Sequence, residues 1–229
     1  MKRAVGLAVV LLLVLGGAFL GDGLFRGYVE QRVAAAIASQ LGTGSTPTVS
    51  LGGTPFSLAL ITRAVPNAHA TVDAVPLEIA GHQVELADVA ASTGEIRLEG
   101  DTVTVATLTA TGTLTYSDLA KVAELPVSYA GDGRLELRYT TAIFGRELSF
   151  AISAVPNLDV PQQVIRLTDP QLDLAGSTLD VPLTQAQLDA IVQPIDVGMD
   201  YGLRLTGADP AAEGVKVRIE ADEVTAPVR

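Results

Sequence analysis

The chain has no cysteine and no tryptophan, and tyrosine and phenylalanine together make up only 4% of its 229 residues. Without cysteine there is no disulfide scaffold, thiolate zinc site, iron–sulfur ligation, cysteine nucleophile or lipidated cysteine. So few rings offer no stacking platform for bases. Basic side chains are also scarce. Against 26 Asp+Glu there are 15 Lys+Arg, a formal net charge of −11, which opposes a nucleic-acid phosphate backbone. Histidine occurs twice, at His69 and His82, at no metal-ligand spacing, and both read as surface or strand-face residues. No G-x-S-x-G elbow and no complete phosphate loop is present; Gly131-Asp132-Gly133 sits where a strand-entry turn is expected. Asp159, Asp169, Asp173 and Asp180 are scattered outside any EF-hand register. No metal or cofactor is expected, and catalysis lacks any positive signal.

What the chain does have is aliphatic. Apolar residues make up 48% and charged residues 18%, which excludes a disordered acidic tail. The length fits one sizeable domain. Behind Met1-Lys2-Arg3, every residue from Ala4 to Leu20 is apolar or Gly, 17 positions in all. A helix needs about 20 apolar residues to cross a bilayer, so the run is short for a span and slightly long for a signal h-region. Lys2 and Arg3 favour the cytoplasmic side, which puts the remaining chain outside. Small residues at Gly16 and Ala18 make a poor cleavage site. The favoured reading is an anchor over 1–23 carrying an exported domain over 24–229; the second is a cleaved signal and a secreted domain. Residues 24–229 hold 13 basic and 25 acidic side chains, a net −12.

Phe25, Val29, Val33 and Ile37 recur every fourth position, which predicts a helix over 24–41 that continues from the anchor. Breaker residues 42–47 end it. Beyond Pro47 the period becomes two. Leu135, Leu137 and Tyr139 alternate with Arg134, Glu136 and Arg138; Leu148, Phe150 and Ile152 alternate with Glu147, Ser149 and Ala151; the two runs predict a hairpin. Val215, Val217, Ile219 and Ala221 form the clearest strand. Shorter strands are expected at 71–75, 84–86, 96–98, 103–110, 164–174, 179–183 and 201–205. Within 102–108 the apolar phase slips from Val103/Val105 to Ala106/Leu108, which suggests a bulge. Ser117 can cap a helix over 118–124. Thr184-Gln185-Ala186-Gln187 is a capping-box pattern ahead of Leu188, Ile191 and Val192, with Pro194 as the stop. A further helical turn is expected at 55–63. The summed expectation is an α+β fold with an antiparallel sheet, a long N-terminal helix and two or three short ones.

Val49-Ser50-Leu51-Gly52-Gly53-Thr54-Pro55-Phe56, followed by the Ala70-Thr71-Val72-Asp73 strand, resembles the opening of the LmeA-type phospholipid-binding proteins of actinobacterial cell envelopes, which typically reads V-x-V-x-G-F-P-F. Similar phrases follow in order at 110–119, 144–148 and 201–207, so the resemblance spans about residues 26–224. The sequence departs at Thr54, where the family usually has Phe; a pocket lined by that aromatic would be altered here. The resemblance implies a tubular lipid-binding, BPI-like fold, a strongly curved antiparallel sheet wrapped along the long helix. It also implies binding of phospholipid or another envelope lipid, lipid transfer or a role in lipid and lipoglycan metabolism, and no catalytic residues.

If aliphatic side chains do not fill such a sheet, acyl chains can occupy the remaining space. The residues expected to line it are Leu137, Tyr139, Phe150, Ile152, Leu188 and Ile191, with Phe56 and Leu60 closing one end. Arg134 and Arg138 could supply a basic mouth. The alternatives are a non-catalytic envelope interaction module and an unrecognised hydrolase with a polar cleft. Nothing in the sequence sets an oligomeric state. Membrane attachment through residues 4–20 is tested by intact mass: protein extracted from its native membrane should retain Met1 or Lys2, and a mature form starting near Phe19 would instead mean a secreted domain.

Overall fold

The structure, a computed structural model, describes residues 26–41, 46–52, 62–100, 102–143, 146–174, 177–179, 184–199 and 202–227. The anchor over 1–23 and all but the last two residues of the helical turn expected at 55–63 lie outside them. Among the described residues the first element is helix α1 (Arg26–Leu41), followed by strands β1 (Thr48–Leu51), β2 (Ala64–Val65), β3 (Ala68–Ile79), β4 (His82–Thr93), β5 (Ile96–Glu99), β6 (Thr102–Val105) and β7 (Leu108–Leu114). Helix α2 (Tyr116–Ala123) leads into β8 (Val127–Gly131), β9 (Arg134–Ile143), β10 (Arg146–Asp159), β11 (Val164–Leu174) and β12 (Ser177–Leu179). Helix α3 (Gln185–Ile191), β13 (Ile195–Asp196), β14 (Arg204–Ala211), β15 (Gly214–Ala221) and β16 (Val224–Pro227) complete it.

The α+β expectation, with one curved sheet wrapped along a long N-terminal helix, is corrected. The described chain is mostly antiparallel β, its helices are 16, 8 and 7 residues long, and the strands form three sheets. The physical reason lies in the narrow stripe of α1. It buries Val33, Ala34 and Ile37, and Glu30 Oε1 accepts the Leu51 N–H at 2.9 Å, so the helix packs beside β1 and does not serve as an axis. The sheets themselves enclose the core.

They do so by folding at a common line. The six-stranded sheet runs β1-β3-β4-β7-β15-β14, and the four-stranded sheet runs β16-β6-β5-β2. Four chain segments pass through both, in the same order, and keep one register across the corner. Ala68 faces Thr93 and Val65 faces Ile96. Thr93 faces Leu108 and Ile96 faces Val105. Leu108 faces Ala221 and Val105 faces Val224. Backbone bonds bridge the gap: Gly94 N–H donates to Thr107 C=O and Ala106 N–H to Glu95 C=O, both at 2.9 Å.

At this corner every strand places two successive residues off the core: Pro66-Asn67, Gly94-Glu95, Ala106-Thr107 and Asp222-Glu223, none of them buried. Alternation normally sends consecutive side chains to opposite faces. The paired step therefore shifts the buried phase from Val65 to Ala68, from Thr93 to Ile96, from Val105 to Leu108 and from Ala221 to Val224, all buried. The phase slip at 102–108 is this corner. The Thr93 hydroxyl, itself buried, accepts the Ala68 N–H at 3.0 Å. The enclosed core joins α1 to Leu51, Val72, Val89, Ile96, Val103 and Val105, among others.

The second sheet, β12-β11-β10-β9-β8 with β13 beside β11, lies against β14. The predicted hairpin is longer than its sequence signal, pairing Arg146 with Ile143 and Ala154 with Leu135. Strand β8 was missed; its turn into β9 holds Asp132 at φ 49° between Gly131 and Gly133.

Gly214 takes φ 153°, and a Cβ there would stand 2.5 Å from the Leu114 carbonyl oxygen and 2.8 Å from Thr113 Cγ2. Gly214→Ala must displace the β7 backbone. It should cost about 1–3 kcal/mol, the usual cost of overpacking. At about 2–4 °C per kcal/mol for a chain of this size, thermal denaturation will show the loss; an unchanged midpoint would refute the close approach.

Candidate functional site

Cross-strand pairing on β9 and β10 arranges the expected lining residues in rows. Leu135 lies opposite Ala154, Leu137 opposite Ile152 and Tyr139 opposite Phe150. On β11, Leu172 faces Ile152. The rows differ in exposure. Ala154 and Ile152 are 0% and 1% exposed, Phe150 is half-buried, and Tyr139 is 39% exposed. The Tyr139 and Phe150 rings meet at 5.2 Å between centroids, tilted by 42°. The apolar face thus passes from closed core to an aromatic rim within two rows.

Helix α3 supplies the opposing residues. Thr184 is its N-cap, its hydroxyl accepting the Gln187 N–H while the Gln187 side chain accepts the Thr184 N–H at 2.9 Å. This is the expected capping box. Gln185 Nε2 donates to Leu167 C=O at 2.8 Å and so fixes the helix on β11. Leu188 is then fully buried in a cluster with Leu135, Leu137, Ile152, Ala154, Leu167 and Val215, and Ile191 and Phe150 pack against it. Six of the eight expected residues are therefore at one place. Phe56, Leu60 and the divergent Thr54 lie outside the described residues.

Sequence reasoning missed the other wall of this cluster. Val215, Val217 and Ala208 come from the β14–β15 hairpin of the first sheet, and Tyr116 and Leu119 from α2. The alternation of 215–221 signals a strand, but nothing local says that its residues face a second sheet. Helix α2 starts two residues earlier than expected from Ser117, with Thr115 as N-cap. Tyr116 Oη donates to Ala211 C=O at 2.5 Å. Burial raises the Tyr116 phenol pKa, helped by nearby Tyr129 and Glu213 and opposed by the Ala211 hydrogen bond.

Neither arginine considered for a basic mouth is free. Arg134, 14% exposed, binds Asp169 Oδ2 at 2.7 Å and the Ser153 side chain and carbonyl, and it also donates to the Asp169 carbonyl. The β10–β11 register shifts at Ser153/Val155, and Asp169 has φ 51°, so Arg134 clamps a bulge. Arg138 pairs with Glu136 at 2.8 Å.

A second, polar candidate is a pocket of about 480 Å³ between β4 and α2, lined in part by Gln83, Glu85, Thr115, Ser117, Asp118 and Lys121. Burial tends to raise the Asp118 pKa, but the Lys121 ammonium, the Thr115 hydroxyl and the Glu85 N–H together outweigh it and hold the carboxyl below its ordinary value. Lys121 Nζ stands 2.5 Å from Asp118 Oδ1. A carboxylate fixed in its ionised form by a lysine and a helix cap is a structural anchor, not a proton donor poised near neutrality. His82 lies 3.9 Å from the exposed Glu124, and His69 is exposed. Among the described residues no group of His, Cys, Asp and Glu could hold a metal. No described helix is long and apolar enough to cross a membrane.

A family model described as LmeA-like phospholipid-binding matches residues 20–220. No curated protein and no solved structure matches the chain.

Because the folded-state pKa of Asp118 is depressed, its contribution to stability is complete above the unfolded carboxylate value and is lost as pH falls through the lower folded value. Asp118→Asn should destabilise the protein at pH 7 by about 1.5–3 kcal/mol, the range for a hydrogen bond to a charged group. The difference from wild type should shrink below about pH 4. Denaturant titrations at pH 7 and pH 3.5 check this; a pH-independent difference would contradict it.

Proposed function

Since the chain belongs to the LmeA-like phospholipid-binding family, we propose that it holds phospholipid acyl chains in the cluster between β9–β11, α3 and the β14–β15 hairpin, with the Tyr139–Phe150 pair at the mouth. In this reading residues 4–20 attach the protein to the membrane, the domain works outside the cytoplasmic membrane, and it transfers or presents lipid in envelope lipid or lipoglycan metabolism. The family is a binding family, and the assignment is to a binding protein, not an enzyme.

The observation that carries the site is the graded apolar face of β9 and β10. Each methylene taken from water gains about 0.8 kcal/mol, so an acyl chain laid along Phe150, Ile152 and Leu137 needs no polar contact to bind. Tyrosine suits the mouth, with an apolar ring for the chain and a hydroxyl for water or head group. With Arg134 and Arg138 engaged by Asp169 and Glu136 and a net charge of −11, hydrophobic capture outweighs electrostatic steering. The head group stays at the rim.

Two substitutions test the site with fluorescent phospholipid. Ile152→Trp fills the cleft and should fold at a cost of about 1–3 kcal/mol while losing binding. Tyr139→Asp changes an exposed residue, should leave the melting temperature nearly unchanged, and should weaken uptake at least several-fold. Leu137→Asp should abolish uptake together with much of the stability, since it buries a charge. If folded Ile152→Trp and Tyr139→Asp both bind as wild type does, the lipid lies elsewhere. If native mass spectrometry and vesicle assays find no lipid on the wild-type protein, an envelope interaction module becomes the better reading.

A further inference from the structure

The proposed site poses a problem of access. Ile152 and Leu188 are fully covered by neighbouring side chains, and the wall opposite them belongs to a different sheet. An acyl chain can reach them if the second sheet moves relative to β14 and β15. What holds the two sheets together is therefore what controls admission.

The covering apolar contacts are non-directional. Among the described residues, the hydrogen bonds that pass from the second sheet to the first are made by one side chain, Gln163, in the turn between β10 and β11. Its Oε1 accepts the Leu205 N–H at 2.7 Å, and its Nε2 donates to the Leu205 C=O at 3.1 Å. The amide thus imitates a strand residue and pairs with the edge of β14. The same Nε2 donates to Val160 C=O at 2.7 Å. The Gln163 backbone is held as well: it has φ 53°, in the left-handed region, and its carbonyl accepts the Val197 N–H at 2.9 Å. A non-glycine residue in that conformation persists where its surroundings fix it. Leu205 is buried at 5% exposure, so its N–H and C=O have poor access to water if the amide leaves, and a bond broken there is not cheaply replaced.

We propose that Gln163 is the latch of the lipid cleft, a positioning residue whose amide holds the second sheet against β14 and must release Leu205 for lipid to enter or leave. The proposal rests on the site assigned above. It concerns the rate of lipid exchange, since the hydrogen bonds of Gln163 go to Val160, Leu205 and Val197 and not to a residue expected to contact acyl chains. A latch that stabilises the closed form slows loading and unloading together and leaves their ratio little changed.

The test compares wild type with Gln163→Leu, which keeps the length and loses every hydrogen bond, and Gln163→Glu, which keeps the acceptor for Leu205 N–H and loses the donor. Full-length protein is used with phosphatidylcholine vesicles carrying a fluorescent phospholipid. Two quantities are read: the lipid exchange rate per folded molecule, and hydrogen exchange at the Leu205 and Val197 amides against the Ile96 and Val103 amides of the first core. The expected result is a five-fold or greater increase in exchange rate in both variants. Protection should be lost at Leu205 in Gln163→Leu, fall less in Gln163→Glu, which keeps the acceptor, and stay at Ile96 and Val103 in both, with equilibrium loading within about two-fold of wild type. If Gln163→Leu fails to fold, Gln163→Glu carries the comparison.

A merely structural residue would lower the melting temperature and leave the exchange rate per folded molecule unchanged; that result, with wild-type lipid binding intact, overturns the latch alone. Unchanged protection at Leu205 in both variants also overturns it. Absence of lipid uptake by the wild-type protein overturns the site and the latch together, whatever the hydrogen exchange shows.

Discussion

The constraint on which this molecule depends is that four chain segments turn the same corner in one register. A sheet that bends must leave room on its convex side and keep its ladder intact, because unpaired backbone groups away from water are costly. Here both demands are met by setting two successive residues outward in each strand. The buried phase shifts together from Val65 to Ala68, Thr93 to Ile96, Val105 to Leu108 and Ala221 to Val224. Bridging bonds at Gly94–Thr107 and Glu95–Ala106 carry the ladder through. A sheet folded this way covers its own apolar face, with α1 as a partial cover beside β1 and not an axis.

The second sheet uses a different device. It meets the first through side chains and a single amide, not through a shared ladder. That interface contains Val215, Ala208, Leu137, Ile152 and Leu188. It has the same aliphatic character as the first core, but it opens at an aromatic rim where the first core is closed by the corner. Charge is handled locally: Arg134, Arg138, Arg166 and Arg204 each have an acidic partner. Their contribution is geometric. Arg134 secures the bulge in β11 at Asp169, and Arg166 engages the α3 residue Asp189.

Much of this was legible in the sequence, for reasons that can be named. Period-two alternation in 134–139, 147–152 and 215–221 requires strands with one buried face, and in the first two runs it located Leu137, Tyr139, Phe150 and Ile152, which the fold brings together. The Thr184–Gln187 capping box is a local chemical pattern and was readable as such. The slip after Val105 was visible as a bulge, but its meaning was not. A corner is shared by strands far apart in sequence, and the matching slips at Val65, Thr93 and Ala221 register only when the strands are paired. The weight given to the N-terminal helix was misplaced because its periodicity says that it has an apolar stripe, not how much of the core that stripe covers. Val215 and Ala208 as a wall of the candidate site, and Gln163 as a partner of Leu205, are long-range facts with no local signature.

The corner also limits how such a chain can vary in length. Removing one residue at Ala106 alone would turn every side chain from Leu108 to Leu114 to the opposite face while β4 and β15, on either side of it, kept theirs. Only a matched change in all four segments would preserve the core. Insertions and deletions are therefore confined to the ends of the hairpins, such as the turns at Gly81, Gly100 and Gly133. Relatives that differ in size should share the distance in residues from each corner to its nearest buried neighbours, and differ in how far the hairpins reach beyond it.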